Sequence, residues 1–441
     1  LETLSAEAVT YEASEDEYFR ARNADVCDIR DRVLSHLSGA GFDTEVPPGA
    51  IVAAVDLPPS RFLSIDWSHG GALALTAGSP MSHVAMLARA RGVPAVVRLR
   101  VPLTELHGEA LVHGGRGLVI VDPSPLERAA FERESQEAAI ERSSVDELAR
   151  GHAKTIDGTP IRVMLNLSSV AELDGLDPMI CDGIGLVRTE LLFHGGMPDE
   201  ETQYRVYRRI VEWAQGRPVT IRTLDAGADK PLPGLTLDNE SNPSLGVRGL
   251  RLSFAFPEVF RVQIRALARA AALGDVKMML PMVTLPRELD RARAMLDEEM
   301  MNLHGKGVAA KRPSLGIMVE VPAAAIAADM FQADFFSIGS NDLTQYIAAA
   351  GRDVSSLADL ANPNQPAVLR LIRYVVDVAA VRRIEASLCG DAGGDPTMLP
   401  QLLGVGLRTL SVAPSLVGRT KRAIAGTDLR ELEHTNDVWP K

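Results

Sequence analysis

The sequence predicts an α/β protein built from a small α/β domain followed by a (β/α)8 barrel, the TIM-barrel arrangement. Three observations predict it. At 441 residues the chain is long enough for two or more domains. Eight short apolar runs between residues 161 and 412 alternate with helical stretches, the pattern of a parallel sheet with crossover helices. A charged, Ala-rich stretch without Gly or Pro from Leu126 to Arg150 separates that region from a Gly-rich one before it.

The elements follow in order. Residues 14–38 are polar and helical in pattern, with apolar positions at Tyr18, Val26, Ile29, Val33 and Leu37, and Gly39–Gly41 ends that helix. Between 45 and 122, β-like runs at Ile51–Val55, Ala95–Val97 and Leu118–Val121 alternate with Gly-rich turns and one helix over Ser82–Arg91. Residues 124–152 read as a long solvated helix, a connector. The barrel strands are expected at Ile161–Leu167, Gly183–Val187, Val219–Leu224, Val276–Leu280, Leu315–Val319, Phe335–Ile338, Arg383–Leu388 and Thr409–Val412. Eight such units in about 255 residues match the length of a (β/α)8 barrel. The expected division is 1–40, 41–123, a linker helix at 124–153, a barrel at 154–430 and a tail at 431–441.

Composition narrows the function. A formal net charge of −12 argues against nucleic acid or an anionic membrane as the main partner. It leaves room for an anionic substrate held by a local Arg cluster. No apolar run approaches the ~20 residues of a transmembrane helix. The cysteines are Cys27, Cys181 and Cys389, an odd and sparse set without metal-type spacing, which fits a reducing cytoplasm. The chain begins at Leu1 rather than Met, so it is expected to be part of something longer.

Catalytic groups of such a barrel gather at the carboxyl ends of its strands. Here those ends carry Arg188-Thr189-Glu190, Arg222 with Asp225, Glu320, Asn341-Asp342, and Cys389-Gly390-Asp391. Arginine recognises carboxylate and phosphate bidentately. Glu320 and Asp342 are hard-oxygen ligands of the kind Mg²⁺ takes in ones and twos, with substrate oxygens and water completing the octahedron. The mixture suits a small phosphorylated acid bound through Mg²⁺. Buried ion pairs across a barrel mouth would give the same pattern.

His83 follows Gly78-Ser-Pro-Met-Ser82 and precedes the helical run Val84–Arg89. Ser82 is placed to cap that helix. A histidine in the first turn sits beside free N–H groups and the positive dipole end, which favour a neutral ring and a bound phosphoryl group. A neutral imidazole nitrogen is a competent nucleophile toward phosphorus. A surface histidine that packs locally reads the same way in sequence.

Read together, these segments resemble Enzyme I of the bacterial phosphoenolpyruvate:sugar phosphotransferase system, a phosphoenolpyruvate-utilising enzyme. The likeness runs from Ser14 to Lys421 and rests on Ser82–Val96, Asp182–Glu190 (DGIGLVRTE), Ile221–Lys230 (IRTLDAGADK), Asn242–Arg248 (NPSLGVR), Gly316–Ala323 (GIMVEVPA), Asp334–Tyr346 (DFFSIGSNDLTQY) and Leu388–Gly390, in that order. The resemblance implies phosphoryl transfer from phosphoenolpyruvate to His83, and on to the histidine of HPr or an HPr-like domain. It implies that Arg188, Arg222 and Arg352 bind phosphoenolpyruvate with Asn341 and the Asp342 backbone, with Arg248 in the same cluster. Glu320 and Asp342 would hold Mg²⁺, and Cys389 would protonate the enolate carbon to give pyruvate. The His83 domain would swing between the barrel mouth and the acceptor, with 124–152 and Gly39–Gly41 as hinges.

The resemblance further implies a cytoplasmic homodimer joined through the barrel, acting in sugar uptake or its regulation. Three positions depart from the family: Met81 for a Thr beside the Ser-His, Asp391 for a Glu, and Gly351 for an Asp. Only the last helix, Ser14–Ser38, of the family's HPr-docking domain is recognisable, so poor transfer to HPr is expected. A dikinase or synthase relative would need an ATP-grasp segment, and no Gly-rich nucleotide loop is visible. A non-catalytic sensor of phosphoenolpyruvate would not need the retained His83, Cys389 and carboxylates.

Overall fold

The computed structural model describes residues 46–135 and 151–431, except 68, 79–82, 194–195, 228–231, 233, 237–239, 241, 352–356 and 358. The chain divides into two compact units near residue 140. The helix expected at 14–38, Cys27 and most of the tail lie outside the described residues, as do Met81, Ser82 and Arg352.

In the first unit, strands β1 (Ile51–Ala54), β2 (Ala72–Leu75) and β3 (Ala95–Val96) form a parallel sheet in the order β1-β2-β3. Helix α1 (Pro59–Ser64) joins the first two and α2 (His83–Ala90) the last two. A hairpin, β4 (Ala110–His113) with β5 (Leu118–Val121), completes it. Phe62, fully buried, stacks on Trp67 at 5.0 Å between centroids. Val84 and Ala88, one helical turn apart, pack α2 against Leu73 and Leu75 of β2. That packing leaves His83 as the first residue of α2, at the carboxyl edge of the parallel sheet. Residues 125–135 beyond β5 are helical.

The second unit is a closed (β/α)8 barrel. Its strands are β7 (Pro160–Leu167), β8 (Ile184–Val187), β9 (Val219–Arg222), β10 (Val276–Leu280), β11 (Ser314–Val319), β12 (Phe335–Ile338), β13 (Glu385–Leu388) and β14 (Thr409–Val412). Each pairs in parallel with the next, and β14 returns to β7 through Thr409↔Arg162 to Val412↔Leu165. A short β6 (Ala153–Lys154) lies antiparallel on β7. Strands buried on both faces read as continuous apolar runs, as in Ile184-Gly-Leu-Val187, where all four residues are buried.

Outside the strands lie helices with one buried stripe each, among them α3 (Glu200–Ala214), α4 (Leu250–Ala255), α5 (Pro257–Ala271) and α6 (Pro286–Gly305). Pro257 opens α5, and Phe260, Ile264, Leu267 and Ala271 form its buried face. The remaining α-helices among the described residues are α7 (Pro322–Ile326), α8 (Ser340–Ala348), α9 (Pro366–Arg382), α10 (Leu399–Gly404) and α11 (Val417–Ala425).

All eight expected barrel strands are present; five differ from the expected bounds by one or two residues at one end, two of them with structural consequence. Arg383 is not strand but the left-handed cap of α9, at φ 56°. The third strand stops at Arg222, so Thr223–Asp225 form the loop at the mouth.

Candidate active site

A cavity of about 530 Å³ opens at the carboxyl ends of the barrel strands. Arg188, Arg222, Arg248, Glu320, Asn341, Asp342 and Cys389 all line it. The barrel therefore brings together every barrel residue expected at the site except Arg352, which lies outside the described residues.

Each side chain has a local reason for its place. Arg222 is the last residue of β9; its Nη2 donates to Glu190 Oε1 at 2.8 Å and its Nη1 pairs with Asp225 Oδ2 at 2.9 Å. Behind it, Thr189 Oγ1 donates to the Arg222 carbonyl at 3.0 Å. The buried Gln263 side chain accepts from Leu224 N at 2.9 Å and donates to Thr189 and Tyr207 at 3.3 and 3.1 Å. This fully internal network clamps the segment that carries Arg222 and Asp225.

Arg248 reaches the same Asp225 twice, through Nε at 3.3 Å and Nη2 at 2.9 Å, and also donates to Asp342 Oδ2 at 3.2 Å and Tyr346 at 3.3 Å. Asp225 is thus the hub that aligns two guanidinium groups. Arg188, half-buried just past β8, forms no ion pair among the described residues. The ion pairs left open in the sequence are present, and the two paired arginines line the cavity together with Arg188.

Glu320 directly follows β11 and is 2 % exposed; its Oε1 accepts from Met282 N at 2.7 Å. Gly339 leaves it room, since a Cβ there would stand 3.1 Å from Glu320 Oε2. Burial, with the charges of Asp225 and Asp342, pushes the Glu320 carboxyl up to about 8, against the pull of Arg222 and Arg248. Crowded carboxylates of this kind are relieved by a cation.

Among the described residues, no three His, Cys, Asp or Glu side chains stand close enough to cage a metal by themselves. Glu320 and Asp342 fit the smaller demand of a hard divalent ion that takes one or two protein carboxylates and leaves its other positions to substrate and water.

Cys389 follows β13 and is 3 % exposed, packed among Leu186, Met279, Met318 and Phe335. Its Sγ donates to the Ile338 carbonyl at 3.5 Å. Burial, aided by the Glu320 charge, pushes the thiol up to about 11, against the Ser337 hydroxyl, Arg222 and Arg188. At neutral pH the group therefore keeps its proton and can act as an acid rather than a nucleophile.

Sequence reasoning missed three contributors. Asn166 and Gln263 are uncharged, and Gln263 sits in mid-helix, where nothing in the pattern marks it. Tyr346, whose hydroxyl donates to the Ser244 carbonyl at 2.6 Å while accepting from Arg248, carried no signal beyond its motif.

Known proteins resemble this chain along most of its length. Residues 142–429 match the family described as PEP-utilising enzyme, PEP-binding domain, and residues 46–124 match PEP-utilising enzyme, mobile domain. The chain is 36% identical over 439 residues to a phosphoenolpyruvate-protein phosphotransferase of Enterococcus faecalis, covering 97% of this chain and 76% of that protein. It is 38% identical over 416 residues to the protein of the same description from Geobacillus stearothermophilus, covering 92% and 72%.

Proposed function

Because the chain belongs to the PEP-utilising enzyme family, we propose that it moves the phosphoryl group of phosphoenolpyruvate from the barrel mouth to His83. The chain is an enzyme of phosphoenolpyruvate-dependent phosphotransfer to protein, in the phosphotransferase system. Its substrate is phosphoenolpyruvate and its partner a phosphocarrier protein. The observation that supports the residue roles best is the convergence of Arg188, Arg222 and Arg248 with Glu320, Asp342 and Cys389 on one cavity.

On this reading the guanidinium groups of Arg188, Arg222, Arg248 and Arg352 neutralise and orient the phosphate and carboxylate, with Asn341 and the Asp342 backbone assisting. An imidazole nitrogen of His83 attacks phosphorus in line; the N–P bond forms as the P–O bond to the enolate breaks. The Cys389 thiol gives its proton to the methylene carbon, yielding pyruvate. Mg²⁺ held by Glu320 and Asp342 would withdraw charge from the substrate oxygens.

The carrier proposed is HPr or an HPr-like domain. A cytoplasmic homodimer joined through the barrel completes the proposal; among the described residues no helix is long and apolar enough to cross a membrane. The expected division at 41–123 and 154–430 assigns His83 and the cavity to separate domains.

Incubation with phosphoenolpyruvate and Mg²⁺ followed by intact mass tests the reading. One added phosphoryl group, absent in His83→Ala, is expected. No gain in the unsubstituted chain would overturn it.

A further inference from the structure

Asn166 stands at an irregularity of the barrel wall. The register between β7 and β8 shifts between Leu165 and Asn166, where Gly185 of β8 is the extra residue, an irregularity of the kind found beside active sites. The Asn166 amide Nδ2 donates to two carbonyls, those of Cys389 and Ser411, each at 3.0 Å. The buried Ser411 hydroxyl donates back to Asn166 Oδ1 at 2.6 Å, which fixes the amide's orientation. Gly185 makes this possible: a Cβ there would lie 2.5 Å from Ser411 Oγ.

The link fills a gap in the sheet. Strands β13 and β14 share a single registered pair, Leu388↔Leu410. Just past that pair the Cys389 carbonyl is held by a side chain from β7 instead. On its other side, Cys389 is held by the Ile338 carbonyl, through its own N–H at 3.0 Å and its Sγ at 3.5 Å. The residue is thus fixed at its amide, its carbonyl and its sulfur.

We propose that Asn166 is a positioning residue for the proton transfer from Cys389. The inference rests on the reading of Cys389 as proton donor. In that step the S–H bond breaks and a C–H bond forms at the methylene carbon of the enolate; the thiolate left behind regains a proton from water. Asn166 touches neither substrate nor the reacting atoms. It holds the backbone that aims the thiol, where a displacement of about 1 Å lowers rates about 100-fold.

The test uses the full chain with Mg²⁺ and phosphoenolpyruvate in rapid-quench single turnovers, which need no HPr acceptor, with kcat and KM read as the maximal rate and half-saturation of that turnover. In Asn166→Ala, kcat for pyruvate formation is expected to fall about 10- to 100-fold, while KM for phosphoenolpyruvate stays within about threefold. The D₂O isotope effect on kcat should rise, because protonation becomes slower than phosphoryl transfer. The Cys389 S–H stretching band should shift in the infrared. Ser411→Ala, which keeps the Asn166 side chain but frees its orientation, should show the same changes at smaller size and covers the case in which Asn166→Ala does not fold. Unchanged isotope effect and S–H band in a folded variant would overturn the proposal, as would a loss confined to KM. If instead the unsubstituted chain gains no phosphoryl group, or Cys389→Ala turns over normally, the functional reading itself fails.

Discussion

Asn341 and Asp391 hold each other at two points: Asn341 Nδ2 donates to Asp391 Oδ2 at 2.8 Å, and the Asp391 backbone N–H donates to Asn341 Oδ1 at 2.9 Å. The pair ties the start of α8 to the turn after Cys389, and it fixes which end of the Asn341 amide is oxygen. Only the first bond depends on the Asp391 side chain. Asp391→Ala should therefore leave Asn341 half-anchored. KM for phosphoenolpyruvate is expected to rise about three- to tenfold, in keeping with the loss of about 1 kcal/mol. Asp391 is exposed, so thermal stability should change little. Steady-state kinetics beside a thermal melt checks both; an unchanged KM would remove Asn341 from the binding set.

Glu320 yields a prediction with opposite signs for stability and activity. Its carboxyl is raised to about 8 by burial and by Asp225 and Asp342, against ~4.3 for an unfolded glutamate. Without a cation, the fold binds a proton that the unfolded chain has released. Stability is therefore lost as pH rises from ~4.3 through about 8. Glu320→Gln keeps an acceptor for Met282 N–H and removes that penalty. In EDTA at pH 8 its melting temperature should equal or exceed that of the unsubstituted protein. Its Mg²⁺-dependent turnover should fall at least ~100-fold, since a carboxylate ligand is gone. Retained turnover would remove Glu320 from the metal site.

The barrel was legible in sequence because buried parallel strands are short apolar runs, and the mouth because charges punctuated their ends. Strands β2, Ala-Leu-Ala-Leu, and β4, Ala-Leu-Val-His, were not, since alternating Ala and Leu suits a helix equally well. Asp225 was visible as a strand end but not as the partner of two arginines, a relation that exists only once β9 and the segment leading into α4 meet. Arg383 was read as strand because its run is apolar beyond it; the left-handed cap of α9 depends on where that helix stops. Asn166 and Gln263 gave no signal because uncharged polar residues inside strands and helices are ordinarily just satisfied. What decides their roles is which carbonyl or amide stands opposite.

The network behind Arg222 should be costly to break. Gln263, Thr189, Tyr207 and Gln203 are all within 1 % of full burial, and Tyr207 donates to Gln203 Oε1 at 3.0 Å. Gln263→Leu removes an acceptor from Leu224 N–H and donors from Thr189 and Tyr207 without opening a large cavity. The orphaned Leu224 N–H costs about 1–3 kcal/mol, and Thr189 and Tyr207 each keep one hydrogen bond while losing another, so a loss of about 3 kcal/mol is expected in urea denaturation. The same substitution loosens the loop that carries Asp225, and KM should rise with it. A loss below about 1 kcal/mol would mean that water replaces the amide.

Cys389 provides the pH test of acid catalysis. Its thiol is raised to about 11 by burial first and by the Glu320 charge, more than the Ser337 hydroxyl and the nearby arginines lower it. The raised value means the folded chain keeps a proton that an unfolded thiol gives up near ~8.5. The thiol's contribution to stability is whole below ~8.5 and is lost as pH climbs toward about 11. Over the same range the donor stays loaded. Turnover should show no decline from this group between pH 6 and 9, and alkylation by iodoacetamide should remain slow until the pH nears 10. A Cys27→Ser/Cys181→Ser background confines the label to Cys389. Rapid alkylation at pH 8, or a rate that falls with an apparent pKa near 8, would show a thiolate at neutral pH, and a thiolate has no proton to give the enolate.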